Sequence, residues 1–388
     1  LLHVYRYGGV RSLSNLRNAL QGSRPHLVVP CDDGVVAQLH ALHAVEPSLR
    51  PLIENSLGPA AHYPLIESRY DLLNRAVELG VRVPKTRKVE TADDIRAWHA
   101  ENGPNAVLKA DGESGGNGVR ISRSLDESLA AWRQLRVPFS AATAWKRMVI
   151  DRNPLALWSR GRGERQVTIQ EFIIGRPANS MLACWRGRLL ASVSVAVVAA
   201  ESATGASIIV RLIQNEQMTD AARALAATLE LSGFYGLDFM LESRTGLPYL
   251  IEMNPRCTQL GHIELRGQGS LAGALSAAFL GKAPAEVRNP VLREKIALFP
   301  QALAAGEASR PYIDSCHHDV PVDQSELRDE LLLKPWPQRQ WASRLYHSFN
   351  KYERDPPVLF EPLDQAASSE YLISAVADVP ADMRSAIR

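Results

Sequence analysis

Residues 233–256, GFYGLDFMLESRTGLPYLIEMNPR, constrain the fold of this chain more than any other stretch. Two apolar runs flank the turn-forming SRTG, a pattern that predicts a β-hairpin. Strand side chains alternate between the two faces of a sheet. That alternation puts Tyr249, Ile251 and Met253 on one face, and Leu250, Glu252, Asn254 and Arg256 on the other. Asp238 and Glu252 are equidistant in sequence from Thr245, so a simple antiparallel hairpin sets them opposite each other on one face. Two opposed carboxylates repel, and a sheet with only a structural purpose would avoid the pair. A divalent cation removes the conflict. Mg²⁺ takes one or two carboxylates together with phosphate oxygens and water. Asn254 adds a neutral oxygen to that face, and the Arg256 guanidinium suits a phosphate oxygen. The plainer reading is the solvent-facing side of an edge hairpin.

Bulk properties narrow the classes around this hairpin. A chain of 388 residues exceeds one small core and predicts two or three domains. At 46% hydrophobic and 22% charged residues it is an average globular composition, which excludes disordered and fibrous classes. The net charge is +2 with the basic residues scattered, unlike the basic stripe of a nucleic-acid binder. Cys31, Cys184, Cys257 and Cys316 show no C-x-x-C spacing, which argues against zinc or a disulfide framework and fits a reducing cytoplasm. No apolar run approaches the roughly 20 residues of a membrane span, and LLASVSVAVVAA (189–200) reads as a core strand. The chain opens on LLHVYRYGGV without an initiator Met, so part of a first α/β unit is expected to be missing.

Along the chain, residues 1–65 predict that α/β unit: a helix over SLSNLRNAL, a strand over HLVVPCDD, and a helix over GVVAQLHALHAV, arranged around a parallel sheet. Residues 67–89 predict a helix, a stop at Gly80 and an extended piece. NAVLKA (105–110) and VRIS are strands joined by the loop DGESGGNG. A helix starts at Ser124, and VTIQEFIIG (167–175) is a strand. Residues 180–213 predict an antiparallel sheet, followed by the helix TDAARALAATLEL, the carboxylate hairpin and the helix GSLAGALSAAFLG.

With these residues in place the chain resembles the ATP-grasp superfamily, in particular its carboxylate–amine ligases and the related biotin carboxylase and carbamoyl phosphate synthetase domains. The likeness rests on an acid, Asp238, followed after the turn by E-x-N-x-R at Glu252, Asn254 and Arg256. It covers about residues 66–282, with a weaker match over 1–65. The fold it implies is an α/β chain with α+β lobes: a Rossmann-like pre-ATP-grasp domain (1–65), an N-lobe with a glycine-rich flap (66–173), a C-lobe with the metal hairpin (174–282) and an extension of unassigned role (283–388).

The resemblance also implies roles for individual residues. Asp238, Glu252 and Asn254 would hold Mg²⁺, with Mn²⁺ as the alternative, against ATP. Lys109 would face the α/β-phosphates, and 111–118 would be the flap, with Gly115, Gly116 and Gly118 turning backbone N–H groups toward phosphate. Gln170, Glu171, Phe172 and Ile173 would line the adenine site at the hinge. Arg69 stands where many relatives have a lysine, and Pro177 where many have the ribose-binding acid. Arg211, with Arg256 and Asn254, would stabilise an acyl phosphate and the oxyanion that follows. The implied reaction joins a small-molecule carboxylate to an amine, such as an amino acid or peptide, in a cytoplasmic enzyme, with a homodimer as one arrangement.

Other residues stay open between a functional and a structural part. Arg211 suits a surface salt bridge as well as an oxyanion. His262 either faces substrate or is structural. Cys31, Asp32 and Asp33 end a predicted strand where α/β proteins bind ligands, while Asp33 equally suits a helix N-cap. His317 and His318 read as loop residues. Two alternative functions remain: a bicarbonate-activating carboxylase or carbamoyl phosphate-type domain, and a nucleotide-binding module without catalysis.

Overall fold

The computed structural model describes residues 12–111, 118–137, 165–265, 269–283, 291, 293–304, 313–333 and 358–360. Helices α1 (Ser12–Ser23), α2 (Asp33–Val45), α3 (Arg50–Leu57), α4 (Tyr63–Glu67) and α5 (Arg69–Glu78) come first. Leu16, Leu20, Leu39, Leu42, Ile53 and Leu57 recur at helical spacing and pack into one core. The strand expected over 26–33 does not form. Pro30 lacks an N–H for a ladder, and the backbone of this segment bonds outward instead: Val28 N–H donates to Ser56 Oγ at 2.9 Å, and Pro30 O accepts from Cys257 N–H at 2.8 Å. Its apolar side chains bridge two cores, Leu27 facing the main sheet and Val28 the helices. Among the described residues before Thr86 there is no strand, so the expected parallel sheet is not found there.

The first sheet is antiparallel, with strands β1 (Thr86–Val89), β2 (Ala106–Ala110), β3 (Val119–Ser122) and β4 (Val167–Glu171) in the order β1-β4-β2-β3. Helices α6 (Ala92–Asn102) and α7 (Leu125–Arg136) bury Ile95, Trp98, Leu129 and Trp132 against it. Both begin on side-chain caps: Thr91 in a capping box with Asp94, and Ser124 accepting from Glu127 N–H.

The larger sheet contains β5 (Gly175–Trp185), β6 (Arg188–Ala200), β7 (Ser207–Leu212), β8 (Gly233–Glu242) and β9 (Pro248–Asn254), in the order β7-β6-β5-β8-β9, with all neighbours antiparallel. The short strand Lys295–Ala297 extends it beyond β7, and His317–His318 pairs with that strand in parallel. The two histidines are therefore strand residues, not the expected loop, because the ladder at Ile296 and Ala297 offers them backbone partners. The helix Glu216–Thr228 packs on one face with α5 around Leu225, Phe239 and Leu250. The helix Leu271–Leu280 packs on the other, against Met181, Val195 and Phe234. Helices on both faces explain why β6 is apolar almost throughout.

Candidate active site

The hairpin β8–β9 pairs Asp238 with Glu252, as the sequence spacing requires. It reaches that pairing by a different route. Near the turn, Leu241 pairs with Pro248 and Phe239 with Leu250, a register that alone would set Asp238 against Ile251. A β-bulge between the Asp238 and Phe239 pairings supplies the extra residue. The bulge also breaks the alternation. Leu250 and Met253 both lie in the core beside Phe239 and Leu237, whereas Tyr249 is only half-buried, under the Arg82 guanidinium. The expected apolar set of Tyr249, Ile251 and Met253 is thus corrected to Leu250 and Met253.

Around the two carboxylates the structure gathers residues distant in sequence. Ser68 caps α5 and starts it so that Arg69 points at β9, where Arg69 Nη2 donates to Glu252 Oε1 at 2.8 Å. Arg69 Nη1 donates to Asp111 Oδ1 at 3.2 Å and to Ala110 O at 3.4 Å. Lys109, 5% exposed, donates from Nζ to the carbonyl of bulged Ile251 at 3.5 Å. Asp238 is held by amides: Asn179 Nδ2 donates to Oδ1 at 2.6 Å, and Asn254 Nδ2 donates to Oδ2 at 3.0 Å. Arg256 follows the strand and donates from Nε to Asp33 Oδ1 at 2.6 Å. Asp33 is therefore a partner of Arg256, and the N-cap of α2 is Asp32, which accepts from Gly34 N–H at 2.7 Å.

The charges are unevenly matched. Burial, then the neighbouring Glu252 carboxylate, pushes Asp238 up to about 6. Burial works against Glu252 too, but Arg69, Lys109 and Arg256 together outweigh it and hold its carboxyl below the usual range. Burial, then the Arg69 cation, pulls Lys109 down to about 8. Burial raises Asp111 despite Arg69. Glu252 is thus anchored as an anion by a direct ion pair, while Asp238 faces it on hydrogen bonds from neutral amides.

This donor set fits a divalent cation. Two opposed carboxylates, one of them without a direct ion pair, are what an oxygen-seeking ion relieves, and the amide donation from Asn254 leaves its oxygen as a further ligand. Arg69 Nε is buried with no hydrogen-bond partner, a donor that an anionic oxygen would satisfy. No group of three or more His, Cys, Asp or Glu suited to a metal occurs among the described residues, so any ion here depends on ligands beyond the acids.

Other predicted residues lie apart. Gly118 is buried, its carbonyl accepting from Ala110 N–H at 2.9 Å, while Gly115 and Gly116 lie outside the described residues. Gln170 turns away to donate to Thr86 Oγ1 at 3.0 Å. Glu171 accepts from Lys85 N–H at 3.2 Å. With Phe172, Lys85, Glu101, Asn102, Pro104 and Asn105 it lines a cavity of about 330 Å³ that includes none of the carboxylate cluster. Ile173 is half-buried in the link from β4 to β5. Pro177 pairs with Met240 inside β5. Arg211 is on β7 with Nη1 3.7 Å from Glu294; three strand spacings, roughly 14 Å, separate β7 from β8. His262 is 56% exposed at its side chain and contacts buried Asp319 at 2.9 Å.

Residues 147–259 match the ATP-grasp domain family. Among solved structures, an N5-carboxyaminoimidazole ribonucleotide synthetase, purK, in its ADP complex aligns with a TM-score of 0.51 at 15% identity, over 74% of this chain and 68% of that one. The chain has the ATP-grasp fold. Two further structures align with lower scores. The biotin carboxylase domain of Hydrogenobacter thermophilus 2-oxoglutarate carboxylase gives 0.49 at 14% identity, over 66% of this chain and 54% of that one. The Thermus thermophilus N5-carboxyaminoimidazole ribonucleotide synthetase gives 0.48 at 18%, over 70% and 66%. The chain thus spans little more than half the length of the first of these. No curated protein matches it.

Within the ATP-grasp fold, sequence reasoning missed Asn179 and the tie between Asp111 and Arg69. Asn is uncommon in strand interiors, and its place in RPANSMLACW was the only signal. Its meaning depends on the β5–β8 register, which sets Asn179 directly opposite Asp238.

Proposed function

We propose that this chain is an ATP-dependent ligase that activates a carboxylate as an acyl phosphate and couples it to an amine, releasing ADP and phosphate. The observation that carries the reading is the cross-strand Asp238–Glu252 pair set against Arg69 and Lys109. ATP and Mg²⁺ follow from that chemistry, and the ADP complex of purK, which shares the fold, supports the nucleotide. Asp238, Glu252 and the Asn254 oxygen would hold the metal, which when bound neutralises triphosphate charge and orients the reacting phosphoryl group.

The residues of the chain do the positioning. Lys109 sits low enough in pKa that arrival of phosphate anions secures its proton, turning a strained cation into a paired one. Arg69 braces Glu252 and offers its free Nε to a phosphate oxygen. Arg256, released from Asp33, would meet the transferred phosphoryl. Arg211 would stabilise the acyl phosphate and its oxyanion, which requires substrate to reach across β5 and β6. Gln170, Glu171, Phe172 and Ile173 would flank adenine at the link between lobes, and residues 111–118 would exclude water.

In this reading residues 1–65 precede the ATP-binding lobes, 66–173 and 174–282 form them, and 283–388 follow as an extension. The substrates are a small carboxylate and an amine. No described helix is long and apolar enough to cross a membrane, and we place the enzyme in the cytoplasm. The test is product analysis with purified chain, Mg²⁺, ATP and paired panels of carboxylates and amines, bicarbonate included. ADP formed only when both substrates are present, with ¹⁸O passing from the carboxylate to phosphate, supports the ligase. AMP formation overturns the acyl phosphate, and ADP formed with bicarbonate alone replaces the carboxylate.

A further inference from the structure

We propose that Cys31 and Cys257 are a redox modification site, forming a reversible disulfide that ties the segment before α2 to the loop after β9. The backbones already meet there. Cys257 N–H donates to the carbonyl of Pro30, the residue preceding Cys31, at 2.8 Å. One residue before Cys257, Arg256 Nε binds Asp33 at 2.6 Å. The two segments are therefore clamped on both sides of the sulfurs, while the thiols themselves donate to neighbouring carbonyls, Cys31 to Val29 O at 3.8 Å and Cys257 to Thr258 O at 3.6 Å, bonds a disulfide would replace. Gly261 keeps the space open, since a Cβ there would collide with Cys257 Sγ.

Access and reactivity single out this pair. Cys184 and Cys316 are 0% and 1% exposed, and burial raises both thiols. Cys31 is exposed, while Cys257 is half-buried behind it. The neighbouring Cys257 thiol, and after burial the Arg256 cation, lower the Cys31 thiol from its ordinary value and favour its thiolate. Cys257 is pushed up by its neighbour Cys31 and by burial. Exposure sets the order, with the exposed Cys31 as the attacking thiolate and half-buried Cys257 as the resolving thiol.

The co-reactant is a low-molecular-weight disulfide. Cys31 thiolate attacks one of its sulfurs, forming a mixed disulfide and expelling one small thiolate. Capping Cys31 removes the negative charge that held the proton on Cys257. Cys257 gives that proton to the expelled thiolate and attacks Cys31 Sγ, releasing the second small thiolate, which takes a proton from water. Two protein thiols are oxidised by two electrons, and one small disulfide becomes two thiols. The bond would fix Arg256 beside Asp33. That consequence for turnover rests on the ligase reading, whereas the bond does not.

The experiment treats the full chain with oxidised glutathione at neutral pH, quenches with acid, blocks remaining thiols with iodoacetamide in denaturant, and maps peptides without reduction. The expected result is a Cys31–Cys257 cross-linked peptide and loss of two of the four alkylatable thiols, both reversed by dithiothreitol. Cys257→Ser should stop at a stable glutathione adduct on Cys31, and Cys31→Ser should give no adduct at Cys257. A wild-type adduct on Cys31 that never resolves, or a cross-link involving Cys184 or Cys316, overturns the proposal, as does no modification at all. The map is read without ATP, so a failed ligase reading leaves its outcome unchanged.

Discussion

Asp238→Asn removes one of two opposed carboxylates, and its effect on stability depends on pH in a way the site geometry fixes. In the folded chain Asp238 titrates at about 6, against an ordinary value of 3.8, because of burial and the facing Glu252. A raised carboxylate pKa favours the folded state while the group is protonated. Ionisation of Asp238 should therefore cost the metal-free wild-type chain stability as pH climbs through about 4 to 6.5. A shift of about two pKa units corresponds to about 3 kcal/mol, at roughly 1.4 kcal/mol per unit. The variant carries a pH-independent cost of its own. Asn179 and Asn254 each donate to one oxygen of Asp238, and an Asn in that place leaves one donor facing another, at about 1–3 kcal/mol.

The two effects separate when the difference between wild type and variant is followed across pH. Urea denaturation of both proteins, without divalent cations, should show wild type more stable near about pH 4. That advantage should shrink by about 3 kcal/mol by about pH 7.5, with a steepest slope of about 1.4 kcal/mol per pH unit. Adding Mg²⁺ with ATP should restore the wild type at the neutral end and leave the variant where it was. A difference that is flat with pH would refute the electrostatic reasoning, because every pH-independent packing cost cancels from the slope.

Asn179→Ala removes the shorter of the two amide donors to Asp238. It should weaken Mg²⁺ dependence of nucleotide turnover about 10-fold or more, read as the half-saturating Mg²⁺ concentration, with little loss of Tm. Gly236→Ala places a Cβ against Thr258 Cγ2, where the loop after β9 folds back onto Met181. It should cost about 1–3 kcal/mol in urea denaturation, and because the same Cβ meets the Asn254 side chain opposite, the half-saturating Mg²⁺ concentration should rise with it.

How much of this was legible in the sequence varies with the distance over which the cause acts. The Asp238–Glu252 pairing was legible because a hairpin is local and its turn chemistry is written in SRTG. The bulge that makes the pairing work was not, because a bulge is settled by how Leu250 and Met253 fit a core built from α5 and the helix Glu216–Thr228. Lys109 could be placed on a strand, but its tie to the Ile251 carbonyl spans 142 residues. The predicted strand at 26–33 failed for a related reason. Its apolar pattern records burial, and Leu27 and Val28 are partly buried against two different cores without any ladder partner. Asn179 became visible only once β5 and β8 were paired.

The same distances explain how one cluster can hold so much opposed charge. Asp238 and Glu252 are forced together by backbone pairing, which does not consult the side chains. The sheet tolerates this because Arg69 arrives from a helix and Lys109 from the other sheet, and both bind at β9. Arg69 divides its hydrogen bonds among Glu252, Asp111 and the Ala110 carbonyl, and Lys109 gives its own to Ile251, so Asp238 relies on amides, while burial and then Arg69 pull Lys109 down to about 8. The cluster is therefore unevenly paired. An anion of high charge brought with a divalent cation would correct both faults at once, giving Lys109 and the Arg69 Nε an acceptor and Asp238 a counter-ion. Either ion alone would correct one fault and leave the other. Binding of nucleotide and metal should accordingly be cooperative, each tightening the other by a factor that falls in Lys109→Met and in Asp238→Asn. Isothermal titration of ADP with and without Mg²⁺ measures that coupling, and equal affinities in the two titrations would remove the charge-pairing argument.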